Sequence, residues 1–276
     1  MGHTGTLDPL ATGLLVLLVG QATRMAQFLA ADEKTYIADV RLGVSTPTYD
    51  AASLPPDVRY PISHVRYPTG SDIEAALARF RGSFLQAPPP FSAKKIASVP
   101  AYEKARKNQP VDLKPVPVTV HELELLGAPE IGDRPSHIGS GLLRVRVAAS
   151  AGFYVRSLAH DLGQALGCGA HLEALRRTRV GRFGVEQGLT LDRVEAEGAA
   201  AIIPPSELLA DMPAVRLTVE GARRTAHGNA LAPTHVLTIP EPGGERLFRL
   251  LDADGTLRAV AQRRADGLLH PLVVLG

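Results

Sequence analysis

The residues of this chain best placed to do chemistry lie at its start, in Gly2-His3-Thr4-Gly5-Thr6-Leu7-Asp8-Pro9-Leu10-Ala11-Thr12-Gly13. Glycines and a proline bracket one acid there, just before an apolar run. Glycine permits tight turns and close approach of a ligand, and proline fixes φ in the residue after the carboxylate. The backbone is therefore expected to present Asp8 in a defined direction. An acid so presented is a candidate reactive carboxylate. A turn or cap residue satisfies the same pattern, and spacing alone does not separate the two.

Other chemistries find less support. The single cysteine, Cys168, allows no intramolecular disulfide, and nine histidines without CxxC or HExxH spacing give no zinc signature. There is no P-loop, and Gly167-Cys168-Gly169 is followed by Leu172 where a dinucleotide fingerprint needs its third glycine. The longest apolar run, Leu14 to Val19, is too short to span a bilayer, and the first residues lack the plan of a signal peptide. These features point to a reducing cytoplasm and to no membrane. Net charge is only +2, but its distribution is uneven. Lys94, Lys95, Lys104, Arg106, Lys107 and Lys114 face only Glu103 and Asp112, and Arg176, Arg177, Arg179 and Arg182 cluster near Glu173. Either group could be a solvated face or a surface for a polyanion.

The elements that must position Asp8 follow from periodicity. With 276 residues, 45% of them hydrophobic and 21% charged, a larger body plus a smaller appendage is expected. Leu14 to Val19, bounded by Gly13 and Gly20, predicts a buried strand, and Met25, Ala26 and Leu29 then recur with helical spacing. Lys34 to Gly43 alternates, with Tyr36, Ala38, Val40 and Leu42 on one face, which makes Tyr36 a half-buried core residue of a strand. Thr46 to Gly70 predicts a long connection. Ser71 is expected to cap a helix reaching about Phe80, with Glu74 completing a capping box. Strands are predicted at Val116 to Leu126 and Leu142 to Ala149, and a helix from about Arg156 to Ala165 ending at Gly167. A Pro-containing linker spans about Ile202 to Pro213. Beyond it come a short helix near Glu220 to Ala226 and strands at Phe248 to Leu251, Leu257 to Ala261 and Leu272 to Leu275. The expected domains are 1–205 and a small β-rich 211–276.

The twelve-residue loop resembles the GHTGTLDPxATG loop of the TruB family of pseudouridine synthases. The resemblance continues through Lys34-Thr35-Tyr36, Pro88-Pro89-Pro90-Phe91-Ser92-Ala93-Lys94, Gly152-Phe153-Tyr154-Val155-Arg156-Ser157-Leu158, Asp161-Leu162-Gly163, Gly167-Cys168-Gly169-Ala170-His171-Leu172 and Leu175-Arg176-Arg177. It covers most of residues 2–182. It implies an α+β pseudouridine synthase fold, with a mixed, largely antiparallel central sheet flanked by helices and a small PUA-like C-terminal domain.

The implied reaction breaks the bond from a uridine's sugar to N1, rotates the uracil and bonds the sugar to C5, with no cofactor or metal. Asp8 matches the family's aspartate nucleophile, which attacks the sugar C1′, opens a glycal route or adds to the base C6. Arg156 matches the arginine that keeps that carboxylate ionised. The target base must leave its stack, and Tyr36 matches the tyrosine that stacks on it. Tyr154 and Leu175 match positions lining the uracil pocket, although Leu175 could equally be an ordinary helix-packing leucine. His3 matches a histidine that contacts the RNA. Lys94, Arg176, Arg177 and Arg179 are assigned to RNA phosphates, which supply affinity rather than sequence choice.

The resemblance implies the T-stem and loop of tRNA as substrate, modified at position 55 in conventional tRNA numbering, a monomer and no obligatory protein partner. Family members carry a few tens of residues before the loop, including a strand with a Lys-Pro-x-Gly-x-Thr-Ser-like pattern. Only Met1 and Gly2 precede His3 here, so a misassigned start is expected, or a truncation that weakens activity. Two alternatives remain: a guide-RNA-dependent relative, and a non-catalytic tRNA-binding or tRNA-folding protein.

Overall fold

The computed structural model describes residues 1–30, 32–54, 68–92, 95–96, 99–100, 103, 113–127, 141–238 and 246–275. Lys94 and most of the lysine-rich stretch after it, including Lys104, Arg106 and Lys107, lie outside the described residues. The chain forms two compact units. One contains residues 6–15 and 31–188, the other residues 1–5, 16–30 and 189–276.

The larger unit is built on seven strands: β1 (Ala11–Gly13), β2 (Lys34–Leu42), β3 (Gly82–Gln86), β4 (Val116–Gly127), β5 (Leu142–Ala149), β6 (Ala170–Val180) and β7 (Phe183–Gly184). They lie in the order β7-β6-β2-β5-β4-β3, with β1 added to β6. Every pairing is antiparallel except β1 with β6, so the sheet is mixed and largely antiparallel as expected. Alternation in β2 puts Ala38, Val40 and Leu42 in the core, in register with Val145 and Leu143 of β5 and Leu172 and Ala170 of β6. Helices α1 (Gly70–Ala78) and α2 (Val155–Ala165) bury Ile73, Leu77, Leu158 and Leu162 in the same cluster. Each such side chain contributes roughly 1.5–3 kcal/mol on burial. Gly163 lets α2 approach β6, because a Cβ there would sit 2.1 Å from the Ala170 amide nitrogen.

In the other unit, residues Gly2–His3 pair with Leu17–Leu18. The tail carries β8 (Ala214–Leu217), β9 (Val236–Thr238), β10 (Leu247–Leu251), β11 (Leu257–Arg263) and β12 (Leu269–Val274), ordered β9-β8-β10-β11-β12. Helix α3 (Val219–Ala226) is capped by Thr218, whose hydroxyl accepts from the Gly221 amide at 3.0 Å. Its core gathers Val215, Leu217, Leu231, Phe248, Leu250, Ala259, Ala261 and Leu269.

Three sequence expectations are corrected. Leu14 to Val19 is not one buried strand. Gly13 turns the chain at φ +97°, the run divides between the two units, and Leu15, Leu17 and Val19 are exposed while Leu18 is buried. A short apolar run carries no periodicity to distinguish these cases. Helix α1 is capped by Thr69 rather than Ser71: the Thr69 hydroxyl accepts from the Asp72 amide (3.2 Å), and Asp72 accepts from the Thr69 amide (2.8 Å). Glu74 instead pairs with Arg81. Leu175 sits on strand β6, not on a helix.

Candidate functional site

Asp8 opens a turn closed by the Ala11 amide, which donates to the Asp8 carbonyl at 2.8 Å, with Pro9 fixing the second position. Strand β1 then pairs parallel with β6, Ala11 beside Leu175 and Gly13 beside Arg177. Only glycine fits at residue 13. Besides its positive φ, a Cβ there would lie 2.2 Å from the Arg177 carbonyl oxygen. The loop that presents Asp8 is thus seated on a central strand.

Arg156 is the second residue of α2, at a helix start where a cation is disfavoured by the macrodipole. It is offset by acids. Its Nε donates to Asp8 Oδ2 (3.0 Å) and its Nη2 to Asp8 Oδ1 (2.6 Å), a bidentate fork. Its Nη1 donates to the carbonyls of Phe91 (3.0 Å) and Thr48 (3.2 Å) and lies 3.6 Å from the Asp50 carboxylate. The Arg156 side chain is 8% exposed, whereas Asp8 is 28% exposed. The guanidinium is therefore fixed from behind, and the carboxylate it orients keeps an open side.

Tyr36 lies opposite Arg177 in the β2–β6 register and packs at the edge of the core. Burial pushes its phenol pKa up, the Arg177 charge and hydrogen bond oppose that, and the nearby Asp8 carboxylate adds to it. Tyr154, the N-cap of α2, is likewise pushed up by burial, with Asp8 contributing in the same direction. Its backbone is held by Gln86, whose side chain accepts from the Tyr154 amide (2.8 Å) and donates to the Tyr154 carbonyl (3.0 Å). The structure thus brings Asp8, Tyr36, Tyr154 and Arg156 together, with Leu175 buried beside the Asp8 loop. His3 is exposed and belongs to the other compact unit.

The arginines separate. Arg176 and Arg179 are exposed on β6. Arg177 is 1% exposed and cannot serve as a phosphate ligand. Its Nε donates to the Leu14 carbonyl (2.8 Å) and its Nη1 to the Thr6 carbonyl (3.4 Å), so it clamps both ends of the Asp8 loop. Arg176 and Arg177 face opposite ways as strand neighbours do, and a register irregularity between Arg177 and Arg179 breaks the alternation that would otherwise turn Arg179 inward as well. Sequence reasoning also missed Asp50. This acid is 4% exposed, and its carboxylate accepts from the Thr48 hydroxyl (2.6 Å) and the Ala52 amide (3.1 Å) as well as facing Arg156. Its position inside a Pro-containing connection gave no periodic signal. Among the described residues no cluster of His, Cys, Asp or Glu could hold a metal ion, and no helix is long and apolar enough to cross a membrane.

A mixed sheet that seats a carboxylate loop against a bidentate, backbone-braced arginine defines a site for chemistry at a presented acid. The TruB family pseudouridylate synthase N-terminal domain matches residues 1–155, and the tRNA pseudouridylate synthase B C-terminal domain matches residues 156–209. The tRNA pseudouridine synthase B of Solibacter usitatus (strain Ellin6076) is 40% identical over 280 residues, covering 100% of this chain and 90% of that protein. That of Burkholderia mallei (strain NCTC 10247) is 42% identical over 283 residues, covering 100% and 88%. A solved structure of an H/ACA RNP bound to a substrate RNA containing 2'-deoxyuridine shares the fold, with TM-score 0.67 and 22% identity, covering 100% of this chain and 76% of that one. The chain belongs to the TruB family of pseudouridylate synthases, and so to the isomerases.

Proposed function

We propose that this chain converts uridine to pseudouridine in the T loop of tRNA, at position 55, with Asp8 as the nucleophile. The observation that carries this reading is the bidentate Arg156–Asp8 pair, in which the arginine is buried and the acid keeps an accessible side. The fork holds both carboxylate oxygens in one orientation, which fixes the direction from which the acid meets a substrate. The net chemistry is balanced without a co-reactant. The sugar C1′–N1 bond breaks, C1′ bonds to C5, and the C5 proton leaves as N1 is protonated.

Tyr36, held by Arg177, takes the role of stacking on the flipped uracil, and Tyr154 and Leu175 that of lining its pocket. His3 is assigned to the RNA, and the exposed Arg176 and Arg179 to its phosphates. On the same reading residues 1–205 are the catalytic domain and 211–276 a PUA-like RNA-binding domain. The protein acts in the cytoplasm as a monomer without an obligatory protein partner. The relatives' name, tRNA pseudouridine synthase B, supports the substrate class.

The test is incubation of the protein, and of an Asp8→Ala variant, with unmodified tRNA, mapping pseudouridine by chemical labelling. Product at the T loop with the wild-type protein alone is expected. Product elsewhere would overturn the position, product with Asp8→Ala would overturn the nucleophile, and tight tRNA binding without product would favour a binding-only role.

A further inference from the structure

We propose that Tyr49 and His160 are a positioning pair that sets the orientation of Arg156, and through it that of Asp8. This inference rests on the reading of Asp8 and Arg156 as the reacting pair.

The connection after β2 delivers two groups to one guanidinium nitrogen, the Thr48 carbonyl at 3.2 Å and the Asp50 carboxylate at 3.6 Å from Arg156 Nη1. The residue between them pays for that convergence in backbone conformation. Tyr49 has φ +65°, and among the described residues no other non-glycine has a positive φ. A bulky aromatic seldom adopts this region, so surrounding contacts must hold it there. Two are backbone bonds: the Tyr49 amide donates to the Thr46 carbonyl (3.2 Å), and the Tyr49 carbonyl accepts from the Leu172 amide (2.9 Å).

The third contact is a ring. Tyr49 stacks on His160 with centroids 3.8 Å apart and planes 8° from parallel. His160 lies four residues after Arg156 on α2, one helical turn along the same face. The stack therefore fastens the loop that braces Arg156 to the helix that carries it, one turn from the brace itself. His160 Nδ1 is buried and has no hydrogen-bond partner among the described residues, which suits an imidazole used as a flat packing surface. Neither Tyr49 nor His160 contacts Asp8 in this arrangement through any described hydrogen bond; both act through Arg156.

The experiment separates positioning from folding. Tyr49→Gly removes the ring and the backbone strain together, because glycine accepts a positive φ, and Tyr49→Asn serves as a second variant that tolerates the same conformation. Tyr49→Gly and His160→Ala are each expected to lower kcat for pseudouridine formation roughly tenfold, short of the ~10²-fold associated with a full ångström of misplacement. KM for tRNA stays unchanged, since the variants touch no RNA-binding group. His160→Phe keeps a flat ring and restores the rate. The Tyr49→Gly/His160→Ala double variant is no slower than either single, because both break one contact.

Wild-type kcat in both single variants would overturn the proposal, as would a loss appearing only in KM. A loss that His160→Phe shares, or a lowered melting temperature with kcat intact below it, would also overturn it. Asp8→Ala run alongside tells the two readings apart. If that variant keeps activity, the assignment of the reacting pair fails; if it is inactive while the stack variants are unaffected, only the positioning role fails.

Discussion

The Asp8 site and the C-terminal sheet both depend on arginines, but on arginines of different reach. In the larger unit Arg156 bonds to Asp8 across 148 residues of chain, Arg177 to Thr6 across 171, and Gln86 to Tyr154 across 68. In the tail Arg258 pairs with Asp252 six residues away, Arg223 with Glu220 three away, and Thr218 caps Gly221 three away. Two arginines depart from this pattern: Arg249 donates to carbonyls 37 to 43 residues earlier, and Arg24 donates to the Val274 carbonyl of β12 across 250 residues. Short-range pairs seal turns and helix ends, a job that local sequence can specify. Long-range ones hold together segments that have no local reason to meet, and so decide the geometry of a site.

If that contrast is right, the largest effect comes from Arg156→Lys. The lysine keeps a charge but loses the fork that grips Asp8 in two places and the bonds to Thr48 and Phe91. Single-turnover pseudouridine formation is expected to fall about 10²-fold or more, with tRNA binding little changed. A lysine variant with near-normal turnover would show that charge alone suffices and would break the comparison.

Arg177→Met should do less to the rate and more to the fold. The part-buried bonds to the Leu14 and Thr6 carbonyls are lost, a cost of about 0.5–1.5 kcal/mol each in denaturant unfolding. Turnover should fall roughly tenfold as the Asp8 loop loosens. Unchanged salt dependence of tRNA binding would confirm that this arginine meets no phosphate, whereas a shallower salt slope would restore the phosphate role.

The smallest effects are electrostatic and of opposite sign. Burial raises the Asp161 pKa, so the protonated form favours the fold; that contribution is present below the unfolded value and lost as pH rises through the folded one. At Asp252 burial also pushes upward, but Arg258 and the amides of Thr256 and Asp254 outweigh it and hold the acid below its usual value. Its contribution is present above the unfolded pKa and lost as pH falls through the folded one. Asp161→Asn should therefore raise the melting temperature at neutral pH and Asp252→Asn lower it, each by on the order of a degree or two. Both differences should shrink on acidification, and matching signs for the two variants would refute the contrast.

The sequence was most legible where structure is local or strictly periodic. Alternation located β2, β4 and β5 to within a residue or two, and β10, β11 and α3 came nearly as close, whereas β12 begins three residues before the expected Leu272 and β3, β6, β8 and β9 were not foreseen. It was least legible at Leu14 to Val19, where an unbroken apolar run hides a change of compact unit. Arg177 was misread because a cluster of arginines in sequence says nothing about which one a strand turns inward. Asp50 and the Tyr49–His160 stack lay in no pattern at all.

What the amino-acid order settled alone was the tight Asp8 loop, with its glycines and proline, and the alternation of β2, β4 and β5, because both depend on conformational limits of neighbouring residues. The family resemblance names Arg156 as the partner of Asp8, but how it grips the acid, which arginine would clamp the loop, and what would brace the grip were decided only when β6, α2 and the connection after β2 came together. Those contacts join residues far apart in the chain, and side chains so separated have no geometry until the core has placed their backbones.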